Sequence, residues 1–111
     1  MEPKPIELRV LATGAGREPF SEWLDGLDRP ERARVRARLN RLRLGNFGDC
    51  RSLGAGLFEL RLAFGPGYRV YFSKEGDESL LLLGGGSKRT QRRDIAKARH
   101  SISELGGSRR G

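Results

Sequence analysis

Apolar residues recur at every second position from Phe58 to Phe72 (FELRLAFGPGYRVYF), on both sides of a Gly-Pro-Gly turn. That period predicts a β-hairpin with Phe58, Leu60, Leu62, Phe64, Tyr68, Val70 and Phe72 on one face. Glu59, Arg61, Arg69 and Tyr71 fall on the other. A turn at Gly65 to Gly67 would set Phe64 opposite Tyr68, Leu62 opposite Val70 and Arg61 opposite Tyr71, with Arg69 diagonal to Arg61.

Upstream, Ile6 to Leu11 has strand composition and the segment ATGAG ends it. Pro19 opens a short helix with Phe20, Trp23, Leu24 and Leu27 at helical spacing. A second helix follows from an N-cap at Asp28, with Pro30 in its first turn and Glu31 placed as in a capping box; Gly45 closes it. Its apolar stripe is Val35, Leu39 and Leu42.

Downstream, Cys50 to Leu53 has the makings of a short strand. The unbroken leucines of Ser79 to Leu83 predict a strand buried on both faces, at the sheet centre. Gly84-Gly85-Gly86 ends that strand, and Ser87 or Thr90 caps a last helix with Ile95, Ala98, Ile102 and Leu105 inside. The fold class is therefore α+β, in the order β-α-α-β-β-β-α. A small, mostly antiparallel sheet packs on helices in a single domain, 1–106, before a disordered basic tail, 107–111.

Charge changes this picture more than size does. Twenty-two Lys and Arg against fourteen Asp and Glu give a net +8, and the lysines are only Lys4, Lys74, Lys88 and Lys97. Arginine favours planar, bidentate contact with phosphate. A polyanion is the first partner to expect and an acidic protein the second. The second helix carries Arg29, Arg32, Arg34, Arg36, Arg38, Arg41 and Arg43 against one Glu, and Lys88, Arg89, Arg92, Arg93, Lys97 and Arg99 crowd the last. If helices cover one sheet face, the other is a cleft where Arg61 and Arg69 meet Lys88 and Arg89. The last helix's N-terminal amides would add an anion contact there. On such a wet face, Arg69→Ala should cost only about 0.5 kcal/mol of stability.

Several chemistries are excluded. With one cysteine, Cys50, and one histidine, His100, the chain has no internal disulfide and no Cys/His metal site. The sequence GGGSKR is not a Walker motif, and no small-molecule cofactor is expected. Trp23 fits a core anchor, and His100 a solvated or interface position. No apolar signal core opens the chain, and the run Leu80 to Leu83 is too short to cross a bilayer, so cytoplasmic residence without membrane attachment is expected.

Three segments carry a family likeness: LRLGNFGD after the Arg-rich helix, ELRLAFGPGYRVYF in the hairpin, and LLLLGGGSKRTQRRDIAKA into the last helix. Together they resemble the RelE/ParE superfamily of toxins from bacterial toxin-antitoxin operons, in its HigB-like, phage-derived addiction-module killer branch. The likeness runs from Ile6 to Leu105. It implies a toxin of a type II system. Members of the RelE and HigB branches enter the ribosomal A site and cut messenger RNA, while ParE-branch members inhibit DNA gyrase without nuclease activity. It also implies a helix-turn-helix antitoxin encoded nearby.

Carried over by position, Arg69 matches the family's phosphate-binding arginine and Arg61 the arginine of the preceding strand. Lys88 or Arg89 matches the basic residue after the last strand. Arg92, Arg93, Arg38 and Arg41 on the basic helices extend the phosphate-binding surface. RelE itself has lysines where this chain has Leu57 and Glu59, and a tyrosine where this chain has Asp94-Ile95. Attack by a 2′-hydroxyl needs a base, an acid and cations for the phosphate. Glu59 and Tyr71 are the candidate base and acid, with the alternative that Glu59 pairs with Arg61 or Arg69. The resulting expectation is a ribosome-dependent mRNA endonuclease; a gyrase inhibitor and a non-catalytic nucleic-acid-binding module are the alternatives.

Overall fold

The computed structural model describes residues 4–110, with side chains through Leu105. Strand β1 (Glu7–Val10) leads into helix α1 (Pro19–Asp25) and helix α2 (Arg29–Arg43). Strands β2 (Cys50–Gly54), β3 (Leu57–Arg61), β4 (Tyr68–Glu75) and β5 (Ser79–Ser87) follow, then a 3₁₀ turn (Lys88–Thr90) and helix α3 (Gln91–Arg110). The segment expected as a tail, 107–111, lies outside the residues whose side chains are described.

The five strands form one sheet in the order β1-β5-β4-β3-β2. Only β1 and β5 pair in parallel; the other three pairs are antiparallel. The chain is thus α+β with one strand more than the expected order, because Cys50–Gly54 is a full ladder member. The middle strand is β4, not β5. Leu80, Leu81, Leu82 and Leu83 are nonetheless all buried, as a strand flanked on both edges and covered on both faces requires.

Cover on both faces is the main departure from the sequence reading. On one face Leu60, Leu62, Val70, Phe72, Leu80 and Leu82 pack with Phe20 and Leu24 of α1 and Val35, Leu39 and Leu42 of α2. On the other, Leu57, Tyr71, Leu81 and Leu83 pack against α3 through Ala98, Ile95, Ile102 and Leu105. Among the described residues, α3 thus covers much of the face expected to be open. Alternate leucines of β5 point to opposite sides, so two apolar layers must be covered, and α3's inner stripe covers the second. Burial of each such aliphatic side chain stabilises by about 1.5–3 kcal/mol.

The hairpin register also differs. Arg61 stands opposite Arg69, Leu60 opposite Val70, Glu59 opposite Tyr71 and Phe58 opposite Phe72. Every expected pair is displaced by two residues. Alternation fixes only the parity of a register, and a shift of two leaves each side chain on its own face. The loop decides the rest: Gly65 and Gly67 take φ of 59° and 76°. Phe64 packs edge-on against Tyr68 at 5.7 Å instead of pairing with it.

Two smaller expectations change as well. Asp28 makes no side-chain cap; Glu31 instead accepts the Tyr68 hydroxyl, tying α2 to β4. The triple glycine does not end β5, which runs to Ser87. Beyond a bulge between Leu82 and Gly84, the ordinary alternation of the strand turns Gly85 to one face and Gly86 to the other. A Cβ on Gly85 would overlap the Trp23 ring, and one on Gly86 the Asp94 carboxyl. The glycines permit close approach of α1 and α3. Among the described residues, no helix is long and apolar enough to cross a membrane.

Candidate phosphate-binding site

On the sheet face beneath α3, cross-strand pairing assembles a charged cluster. Glu59 of β3 faces Arg51 of β2 on one side and Tyr71 of β4 on the other. Arg61 lies two residues along β3, on the same face, and faces Arg69 of β4. Three guanidinium groups converge on one carboxylate oxygen of Glu59: Arg51 Nε at 3.1 Å, Arg61 Nε at 3.5 Å and Arg69 Nη1 at 3.6 Å. The other oxygen accepts a hydrogen bond of 2.7 Å from Gln91 Nε2, at the first residue of α3.

The cluster is graded in depth. The Glu59 side chain is fully enclosed, Arg69 is 10% exposed, and Arg61 and Arg51 are 39% and 49% exposed. Three cations around Glu59, with Asp94 of α3 as a second nearby carboxylate, still leave an excess of positive charge beside a buried wall. Arg69 Nε and Nη1, Arg61 Nε and the Tyr71 hydroxyl are buried without a hydrogen-bond partner among the described residues. A buried donor left unpaired costs about 1–3 kcal/mol. An anion with several oxygens would satisfy both the charge and the donors.

Protonation follows from the same contacts. Burial alone would raise the Glu59 pKa, but donors at Gln91, Arg51 and Tyr71 outweigh it and hold the group below the ordinary carboxylate value. Tyr71 moves the other way, raised first by burial and then by the Glu59 charge. At neutral pH the pair is therefore carboxylate and phenol. The Tyr71 hydroxyl lies against Glu59 without a hydrogen bond of full geometry.

The structure brings together the four hairpin residues singled out in the sequence, Glu59, Arg61, Arg69 and Tyr71, but not on a wet face. Glu59 and Tyr71 are fully enclosed and Arg69 is buried, because α3 covers them. Lys88 and Arg89 are exposed in the 3₁₀ turn after β5. Pairing of Ser87 with Tyr68 and the nearness of Gly67 to the Lys88 Cβ place that turn at the hairpin end, next to Arg69. Arg92 and Arg93 are exposed on the first turns of α3. Asp94, also in the first turn of α3, accepts the Thr90 hydroxyl at 2.5 Å. Arg38 is buried and donates to the carbonyls of Asn46 and Phe47 at 3.1 and 2.6 Å, whereas Arg41 is exposed.

Two members of the cluster escaped the sequence reading. Arg51 belongs to a strand expected from Cys50 to Leu53, yet its partner was fixed only by the β2–β3 register. Gln91 was hidden because no cover was expected on that face; its signal was the phase of α3, four residues ahead of Ile95.

The sequence profile of a phage-derived protein family, described as Gp49-like (DUF891), matches residues 22–103. A curated protein of Haemophilus influenzae strain Rd, which bears the name "Uncharacterized protein", is 44% identical over 88 residues. That alignment covers 78% of this chain and 89% of the relative. The chain belongs to the Gp49-like family, an addiction-module toxin family of RelE/HigB-like kind.

Proposed function

We propose that this Gp49-like protein is the toxin of a type II toxin-antitoxin module, and that it cuts messenger RNA in the ribosomal A site. The observation that carries the reading is the set of buried, unpartnered donors of Arg61 and Arg69 around a carboxylate already shared by three arginines. When a ribose 2′-hydroxyl attacks the adjacent phosphorus, the O2′–P bond forms as the P–O5′ bond breaks, the 2′ proton passes to water and the leaving O5′ takes a proton from water, and negative charge builds on the phosphate oxygens. Pre-placed guanidinium groups stabilise that charge more than they stabilise the substrate. Arg61 and Arg51, the open members, reach the incoming phosphate first, and Arg69 meets it from the wall of the site. Lys88 and Arg89 border the same end of the hairpin, and Arg92 and Arg93 continue the basic rim.

Glu59 acts here as a positioning residue. Held ionised by Gln91, Arg51 and Tyr71 and sealed from solvent, it aims the arginines and is a poor proton acceptor. Tyr71 keeps its proton and backs the carboxylate from the neighbouring strand. Alignment of the RNA on the ribosome supplies much of the acceleration, since oriented reactants reach effective molarities on the order of 10⁵ M or more. A helix-turn-helix antitoxin encoded nearby is the expected partner and the cytoplasm the place of action.

Mapping of transcript 5′ ends after induction tests the reading. New ends inside translated frames, with growth restored by co-expression of the adjacent open reading frame, are the expected result. Intact transcripts with gyrase-dependent DNA breaks would replace it with gyrase inhibition, and intact transcripts with intact DNA by a non-catalytic binding role.

A further inference from the structure

Beside the Glu59 cluster, α2 and the β3–β4 loop enclose a groove of about 420 Å³ whose lining includes Arg34, Arg38, Arg41, Arg61, Asp49 and Phe64. Four arginines against one aspartate border it, three of them from α2, which makes it basic. Its parts are not interchangeable. Arg38 is fixed by its two carbonyl acceptors. Gly48, at φ +55°, leaves room for that guanidinium, which any Cβ there would overlap. Arg34 and Arg41 are exposed and two helical turns apart, on one side of α2. The Arg34 guanidinium carbon lies 4.1 Å from the centre of the Phe64 ring, so the ring holds it on one side while the residue stays open to solvent. Arg61 lines this groove and also reaches Glu59 at 3.5 Å.

We infer that the groove is a second subsite, for the nucleotide flanking the phosphate held by Arg51, Arg61 and Arg69. Its ligand is single-stranded RNA: an unpaired base stacks on the open face of the Arg34 guanidinium, and Arg41 meets the adjoining phosphate. Bases freed from a duplex stack on guanidinium planes as on aromatic rings, and phosphates pair with neighbouring arginines. An acidic peptide would match the charge and leave the Arg34 plane unused. Arg61 borders both, so the two sites meet at the end of β3 although α2 and α3 cover opposite faces of the sheet, and a strand passing round that end would occupy them in turn. The inference rests on the phosphate-binding reading of the Glu59 cluster.

The test measures fluorescence anisotropy with the full chain and two probes, a dinucleotide and a hexanucleotide of RNA made uncleavable by 2′-O-methylation. The parent should bind the hexanucleotide on the order of tenfold more tightly than the dinucleotide. In Arg34→Ala/Arg41→Ala that gain should vanish while dinucleotide binding and the melting temperature persist. Arg34→Lys, which keeps charge but not the plane, should lose part of the gain. Arg29→Ala/Arg36→Ala removes the same charge from the same helix outside the groove and should keep most of it. A length-dependent gain that survives in Arg34→Ala/Arg41→Ala would overturn the subsite while leaving an Arg69-dependent dinucleotide site standing. Equal loss in the Arg29→Ala/Arg36→Ala control, or displacement of the hexanucleotide by oligoglutamate of equal charge, would also overturn it. If the dinucleotide failed to bind but the gain tracked Arg34 and Arg41, the cluster reading would fail and the groove would stand.

Discussion

Arg61 and Arg69 face each other directly across β3 and β4, and both reach the same carboxylate oxygen of Glu59, at 3.5 and 3.6 Å. Like charges in opposed positions destabilise a strand pair. Here the shared anion offsets the repulsion between them, and with Arg51 on the same oxygen the site keeps a surplus of positive charge. Stability and anion binding thus depend on the same carboxylate.

Replacing that carboxylate should therefore act on the fold before it acts on chemistry. Glu59→Gln leaves three arginines without their common anion, two of them partly exposed and screened by water. The expected loss is about 2 kcal/mol, below the figure for a fully buried pair. A lower urea midpoint at unchanged slope checks it. Were Glu59 the general base, cleavage would collapse while the midpoint stayed at the parental value.

Arg69 separates the two roles in the opposite sense. Arg69→Ala should cost on the order of 1 kcal/mol through the lost packing of its stem, more than a wet-face position would. Arg69→Met fills the same space, removes the unpartnered donors and leaves Glu59 its bonds to Arg51 and Gln91 and its contact with Arg61. Its melting temperature should equal or exceed the parent's.

The hairpin shows what a sequence pattern carries and what it does not. Alternation placed Glu59, Arg61, Arg69 and Tyr71 on one face, which the structure reproduces, but was blind to a shift of two residues that puts Arg61 opposite Arg69. The four leucines of β5 indicated burial on both faces, and α3 showed an apolar stripe, yet only packing joins the two into a covered face. Arg51 and Gln91 stayed hidden for that reason: each is defined by a neighbour distant in sequence, 8 and 32 residues from Glu59. The triple glycine suggested a strand end, whereas close approach of Trp23 and Asp94 was the requirement.

Glycine substitutions test that last point. Gly85→Ala drives a methyl into the Trp23 ring and should cost about 1–3 kcal/mol by overpacking. Gly84→Ala, whose methyl would meet nothing within 4 Å, should change stability by about 0.5 kcal/mol or less. Equal thermal shifts for the two would show that the run serves flexibility and not close packing.

Stability should fall at both ends of the pH range, for different groups. The Glu59 pKa is depressed on folding, so its contribution is present above the ordinary value of 4.5 and is lost as pH falls below it. Tyr68 is pushed up to about 12 from 10.0, mainly by its bond to Glu31, so its contribution is present below 10.0 and is lost as pH rises towards 12. Tyr71, also raised, acts in the same alkaline window. Urea midpoints across pH should trace both limbs. Tyr68→Phe should flatten the alkaline limb and spare the acid one; an unchanged alkaline slope would remove Tyr68 from the account.

The rate at which messenger RNA is cut on translating ribosomes, compared between the parent and Arg69→Met at equal concentration, tests the central claim most directly. Loss of a charge-assisted phosphate contact in an enclosed site should slow cleavage on the order of a hundredfold, with the melting temperature maintained. Cleavage by Arg69→Met at the parental rate, or a parent that leaves ribosome-bound transcripts whole, would contradict the claim that this arginine cluster holds the scissile phosphate.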